Sequence, residues 1–329
     1  MTYRLVATGL VVLVVVLFVA SLLVGPAGLT TMTAITSLFG GDNEAARLVM
    51  QEIRLPRAIL GLMIGATLGL SGAVLQGYLR NPLADPGILG ISASASLGAV
   101  LAIYTGLAAA FALALPLFAM AAAVAAVLII QLLAGGRAET LTLILAGVAI
   151  TSIAGAITSL ALNLSPNPFA AVEILFWMLG SLTDRSMLHV WLSAPFMIAG
   201  WALLAPLGRA LDALSLGSDA AESMGVHLSR IQSLTVIGTA ASVGAATAVA
   251  GAIGFVGLIV PHLLRPIVGA KPSNLLLTSA LGGAALVLAA DVAVRVIAPE
   301  RDLKLGVLTA VIGAPFFLWL VIRYRRTLA

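Results

Sequence analysis

Polar chemistry in this sequence is concentrated in one short stretch. Residues 209–230, RALDALSLGSDAAESMGVHLSR, hold Asp212, Asp219, Glu222, Arg209, Arg230 and His227 between the uncharged runs 190–208 and 231–261. Such groups bind by ion pairing and hydrogen bonding. The stretch reads as two short helical pieces. Asp219 is placed to cap the first, Glu222 three residues on completes a capping-box pattern, and Gly225 is placed to end it. Leu214, Leu216, Ala221 and Met224 give an apolar side, while Asp212, Asp219, Glu222 and Arg230 keep the other sides in water. Two uses fit: an amphipathic helix lying at lipid headgroups, or a docking surface for a soluble partner.

Elsewhere the ionisable groups are sparse. Asp291 stands one helical turn before Arg295, so a structural ion pair is expected there rather than a proton relay. Asp85 lies among Pro82, Pro86 and Gly87, in a helix break at a membrane surface. His262 follows Pro261 at the end of an uncharged run and is expected to make a structural hydrogen bond. The sequence has no GxxxxGK[ST] phosphate loop and no HExxH zinc pair. It has no cysteine, which removes disulfides, thiolate metal sites and Cys nucleophiles. The expectation is a non-catalytic chain with no cofactor and no metal site.

What positions these residues is hydrocarbon. Of 329 residues 61% are hydrophobic and only 9% charged, with mean hydropathy +1.15. A soluble domain carries about a quarter charged residues, so an all-α integral membrane protein is expected, one domain over residues 1–329. The net charge of +4 comes without a basic cluster, which argues against a nucleic-acid partner. Arg323, Arg325 and Arg326 close an apolar run and read as a membrane anchor.

A span takes about twenty apolar residues. Spans are expected at 5–24, 58–79, two within 88–136, then 141–164, 188–207, two short broken helices within 231–261, 275–290 and 305–322, ten in all. The first run exceeds the about 7–15 apolar residues of a signal peptide, so it is expected to be retained. Residues 25–56 read as a polar connection, and the apolar piece with Trp177 within 165–186 as a helix lying at the surface. Gly61, Gly65 and Gly69, four apart, leave one face of the second span nearly bare for close approach of another helix. Gly251, Gly254 and Gly257 mark a tight turn. Irregular backbone at that depth survives only when enclosed by protein or lining a cavity.

Ten spans put both termini on one side. With that side cytoplasmic, inner segments carry ten Arg and Lys residues against seven in outer segments, the expected bias, and residues 209–230 face the cytoplasm. The two halves also echo each other. An arginine, a small-residue helix and a Pro-containing break occur as Arg57 to Asn81-Pro82 and again as Arg230 to Pro261-His262. Five spans separate the copies, so they run oppositely, as in the inverted repeats of transporters.

Several motifs together resemble the FecCD family, the permease subunits of binding-protein-dependent ABC importers for iron–siderophores, haem and vitamin B12. They are Arg54-Leu-Pro-Arg57, Gly72 with Gln76, Asn81-Pro-Leu-Ala84 with Pro86-Gly87 and Gly90, residues 254–262 (GFVGLIVPH) with Arg265, and residues 313–317 (GAPFF). The resemblance runs from about Arg54 to the C-terminus. It implies a homodimer of ten-helix subunits in the cell (inner) membrane, two separate cytoplasmic ATPase subunits, and one periplasmic or lipoprotein binding protein outside. By position it makes Asp219, Ala221, Glu222, Met224 and Gly225 the core of the loop that seats in the ATPase. It makes Asn81 and Leu83 a cytoplasmic gate, with Glu139 and Thr140 a second constriction. It matches Arg54, Arg57 and Arg295 to outer arginines that meet acids of the binding protein. Met224 departs from the usual Leu, and Lys304 from a proline common before Gly306. The cargo it implies is a ferric siderophore first, haem second, cobalamin third. The competing expectation is a secondary transporter with a surface helix at 209–230.

Overall fold

The computed structural model describes all residues except 1, 2, 112, 135–139, 166, 167, 300 and 329, with only the backbone at 134, 140 and 324–328. Among the described residues every regular element is helical. Helix α1 (Tyr3–Leu23) is followed by α2 (Thr31–Leu38), α3 (Glu44–Leu48) and a π-helical turn, Val49–Arg54, that runs directly into α4 (Leu55–Tyr78). A 3-10 turn, Pro86–Leu89, leads into α5 (Ile91–Tyr104), α6 (Leu107–Ala110), α7 (Ala114–Ala134), α8 (Thr140–Asn163), α9 (Pro168–Met178) and α10 (Met187–Leu204). Then come α11 (Gly208–Leu214), α12 (Ser218–Ser223), α13 (Leu228–Ala250), α14 (Val256–Val268), α15 (Pro272–Ile297) and α16 (Leu305–Leu328). Eight helical segments among the described residues are long and apolar enough to cross a membrane, and α5, α9 and α14 are shorter apolar helices. At 11 residues, α9 is too short to span, as expected of the Trp177 piece.

The centre of the bundle is α4 with α13 and α15. Within its most apolar window α4 is 83% buried and α13 78%, against 22% for α1, so lipid-type surface falls on the peripheral helices. The bare face of α4 is what lets α15 in. A Cβ added at Gly65 would stand 2.3 Å from the Gly283 carbonyl oxygen, and one at Gly69 1.9 Å from that of Ser279. Gly61, one turn earlier, faces Leu288. Ascending numbers on α4 meet descending ones on α15, so the two helices run antiparallel in near backbone contact.

Three expectations change. Residues 25–56 are not a plain connection. Thr30 and Asn43 cap α2 and α3 by accepting from Thr33 and Ala46 backbone N–H groups, and the π turn carries α3 into α4 without a break. Second, 231–261 does not hold two short helices: α13 is a full 23 residues, and the break is confined to residues 251–255. Third, Pro261 and His262 lie inside α14, so the second copy of the sequence echo breaks at 251–255 and not at Pro261-His262. The correspondence that remains is a long helix, a break and a short helix, once as α4–α5 and once as α13–α14. Each break ends in a left-handed residue, Gly90 (φ 71) and Phe255 (φ 68).

Candidate functional site

One end of the bundle carries the three arginines that the sequence singled out. Arg57 directs Nε and Nη2 at Asp291 Oδ1, both at 2.8 Å, and Arg295 Nη2 lies 2.6 Å from Oδ2. Asp291 is only 1% exposed. The expected Asp291–Arg295 pair is present, with Arg57 as a second partner. Further donors turn to α1. Arg295 Nη1 donates to the Ser21 and Val24 carbonyls at 2.8 Å each, and Arg54 Nη1 to those of Leu22 and Leu23 at 2.9 Å each. A helix ends with four carbonyls lacking an intrahelical partner, and cations there also complement its dipole. Arg54 and Arg295 are therefore a C-terminal cap for α1, supplied from the π-helical turn and α15. Gly25 leaves the space: a Cβ there would stand 3.0 Å from Arg54 Nη2. Beside the cluster a cleft of about 320 Å³ is lined by Arg57, Arg295, Arg301, Asp302, Pro26 and Thr183 among others. With Arg54 beside them, two guanidiniums on one carboxylate leave this cluster, taken by itself, with an excess of positive charge.

At the opposite end of α4 the chain turns through 79–90. Asn81 Oδ1 accepts from Leu83 N at 2.9 Å, and Asp85 Oδ1 from Gly87 N at 2.8 Å, two side chains replacing the helical pairing that Pro82 and Pro86 interrupt. Burial pushes the Asp85 carboxyl above its usual range, with the Gly87 hydrogen bond opposing. Asn81 is exposed and Leu83 half-buried, adjacent on one turn. Glu139 lies outside the described residues, and of Thr140 only the backbone, at the start of α8, is described. The structure therefore brings together the first pair of the expected gate but does not reach the second.

The 209–230 stretch forms two helices, α11 and α12, joined by Gly217 at φ 116. Here the cap differs from expectation: α12 starts at Ser218 with Gly217 as its N-cap, so Asp219 sits in the first turn, where its charge complements the helix dipole without capping. The C-terminal expectation is met. Gly225 has φ 82, its N–H bonds to Glu222 O, and Val226 N–H reaches back to Ala221 O at 3.0 Å, closing a Schellman motif. The apolar set divides. Leu214 and Ala221 pack inward, whereas Leu216 (71% exposed) and Met224 (54%) stand in the open beside exposed Asp219 and Glu222. Asp212 is not simply solvated: its Oδ1 accepts from Ser273 N at 2.8 Å and its Oδ2 lies 3.6 Å from Lys271 Nζ. It caps the N-terminus of α15 from another element and ties α11 to the bundle. Sequence reading missed this contact because 61 residues separate the partners.

The chain is similar to known proteins along most of its length. The FecCD transport family model matches residues 13–323. The chain is 40% identical over 283 residues to the cobalamin import system permease protein BtuC of Halobacterium salinarum, covering 85% of this chain and 75% of that one. It is 38% identical over 327 residues to the ferric enterobactin transport system permease protein FepD of Escherichia coli, covering 97% and 95%. A solved structure of an ABC transporter of metal-chelate type, in an inward-facing conformation, superposes with a TM-score of 0.86 at 31% identity, covering 97% of this chain and 99% of that one. With its spanning helices, this multi-pass cell-membrane protein belongs to the FecCD transport family.

Proposed function

We propose that this chain is the non-catalytic permease subunit of an ABC importer and that it works as a homodimer with two cytoplasmic ATPase subunits and one external binding protein. The observation that carries the reading is α12. In a chain otherwise built for lipid, α12 and its flanks present exposed Leu216 and Met224 beside exposed Asp219 and Glu222, and Asp212 of the preceding α11 braces the segment to α15. Such a surface suits a soluble partner that pushes on the bundle. Asp219, Ala221, Glu222, Met224 and Gly225 form its core, with Ala221 as the buried support. In this reading eight long helices together with α5 and α14 make ten crossings, α4–α5 and α13–α14 are inverted copies, and both termini lie in the cytoplasm. Asn81 and Leu83, with Glu139 and Thr140, form the inner gate. The arginine cluster at the outer end docks acidic residues of the binding protein. There Arg57 and Arg295 border the cleft, and Arg54, enclosed at 4% exposure, contributes its charge and the fixing of α1.

The cargo in this reading is an iron chelate, a ferric siderophore before haem, with cobalamin third. Titrating the cognate binding protein with a ferric siderophore, haemin and cobalamin, read by calorimetry, ranks the three. Reconstituting the chain in vesicles with that binding protein and the ATPase tests the class. Uptake is expected only with ATP inside and binding protein outside. Uptake that runs on an ion gradient without ATP would overturn the reading in favour of a secondary transporter.

A further inference from the structure

Pro261 creates a vacancy in the hydrogen bonding of α14. A helical carbonyl is normally satisfied by the N–H four residues on, and for Gly257 that residue is Pro261, which has none. The Gly257 carbonyl is nevertheless enclosed. Gly72 of α4 lies against it so closely that a Cβ there would stand 2.0 Å from the oxygen. One turn further along α4, Gln76 supplies the missing donor. Its Nε2 lies 3.4 Å from Gly257 O, 3.3 Å from Leu258 O and 3.4 Å from Ala84 O. Its Oε1 accepts from Arg265 Nη2 at 2.9 Å. The orientation of the amide is fixed by its neighbours, because three carbonyls can only accept and a guanidinium can only donate. Gln76 is 3% exposed, so water does not substitute.

One side chain thus joins three elements: α4, on which it stands; α14, which grips it at both ends of the amide; and the 79–90 turn through Ala84. Packing repeats the connection. A Cβ on Gly257 would lie 2.7 Å from Pro86 Cδ and 2.9 Å from Leu68 O, so α14 starts wedged between α4 and that turn. We infer that Gln76 is a positioning residue that clamps the Asn81–Leu83 turn to the start of α14, with Arg265 holding the clamp closed, so that the turn and α14 move as one body. The inference rests on the gate reading above for its use in transport, while the clamp itself stands on geometry. A simple space-filling residue at 76 would pack as well but would leave the Gly257 carbonyl unsatisfied in a dry site.

The test is amide hydrogen exchange by mass spectrometry on the full-length chain in lipid nanodiscs. Gln76→Met keeps the volume and removes both ends of the amide. Gln76→Glu keeps the acceptor for Arg265 and loses the donors. Arg265→Gln loosens the latch from the other side and guards against a fold defect peculiar to position 76. Exchange in 81–87 and in 258–264 is expected to rise together by about five- to tenfold in Gln76→Met, the range set by loss of one buried hydrogen bond of about 1–1.4 kcal/mol. A parallel rise at least as large is expected in Gln76→Glu, where a carboxylate oxygen would face the three carbonyls, and a smaller one in Arg265→Gln, with peptides from α7 and α10 unchanged. Unchanged exchange in Gln76→Met, or a rise in one segment without the other, overturns the clamp. The gate reading is read separately. Because the chain has no native cysteine, Leu83→Cys gives a single thiol whose labelling by maleimide can be followed with and without nucleotide in the complex with the ATPase. Absence of nucleotide dependence there defeats the gate assignment, and the exchange result still decides the clamp.

Discussion

Replacing Asp291 by Asn isolates what the arginine cluster does for stability. The wild-type carboxylate is 1% exposed and receives Arg57 and Arg295, of which the side chains are 13% and 7% exposed. Asn is nearly isosteric, so the change removes charge without opening a cavity. It leaves two enclosed cations facing each other with no anion between them, and breaking a buried pair in this way costs about 3–5 kcal/mol. Unfolding entropy of about 2.1 cal/mol/K per residue over this length gives ~0.7 kcal/mol/K, so the melting temperature should fall by about 6 °C. Tryptophan fluorescence during heating of the chain in detergent reads this directly. The second half of the argument is the double variant Asp291→Asn with Arg57→Met. If the penalty comes from unpaired buried charge, removing one cation should recover at least half of it, since Arg295 keeps its carbonyl partners on α1. A fall of less than 2 °C in the single variant would place the cluster with exposed surface pairs, which contribute about 0–1 kcal/mol. A double variant no better than the single one would refute the reasoning from the other side.

Three further outcomes are expected. Gly69→Ala should prevent close packing of α4 on α15, because its Cβ would fall 1.9 Å from the Ser279 carbonyl oxygen; loss of monodisperse protein on size exclusion is the expected result, and a normal profile would contradict the packing. Gly225→Val should leave the bundle intact, since an added Cβ would meet nothing within 4 Å, but its φ of 82 strains any β-branched residue by about 1–2 kcal/mol. Reduced copurification with the ATPase at unchanged melting temperature is expected, and full copurification would count against α12 as the docking element. At Asp85, Asn keeps the turn-capping oxygen while removing the charge that burial disfavours. With the folded pKa raised, the charged form costs stability as pH rises above the ordinary value of 3.8. Asp85→Asn should therefore raise the melting temperature at neutral pH and lose that advantage toward pH 3.8, and an equal effect at both pH values would contradict it.

Composition and local pattern were enough for the class of molecule. Apolar run length marked most of the spanning helices, because in lipid a segment must satisfy its backbone internally and so declares itself by length alone. The spacing of Gly61, Gly65 and Gly69 announced a close helix contact, and Gly225 announced a left-handed helix end, since both depend on residues within a few positions of one another. The family motifs were legible for the same reason. What the sequence left hidden lies across the fold. Read along the chain, Arg54 and Arg57 are two arginines of a family motif with no local partner to account for them. Only the tertiary structure brings the end of α1 alongside, so that Arg54 caps its carbonyls and Arg57 shares Asp291, 234 positions away. Pro261 read as a helix breaker because a local rule sees only the lost N–H. It lies inside α14, and Gln76, 181 positions from Gly257, occupies the gap. Local rules count the backbone groups that a segment leaves unpaired. Which distant side chain answers each of them is decided by packing.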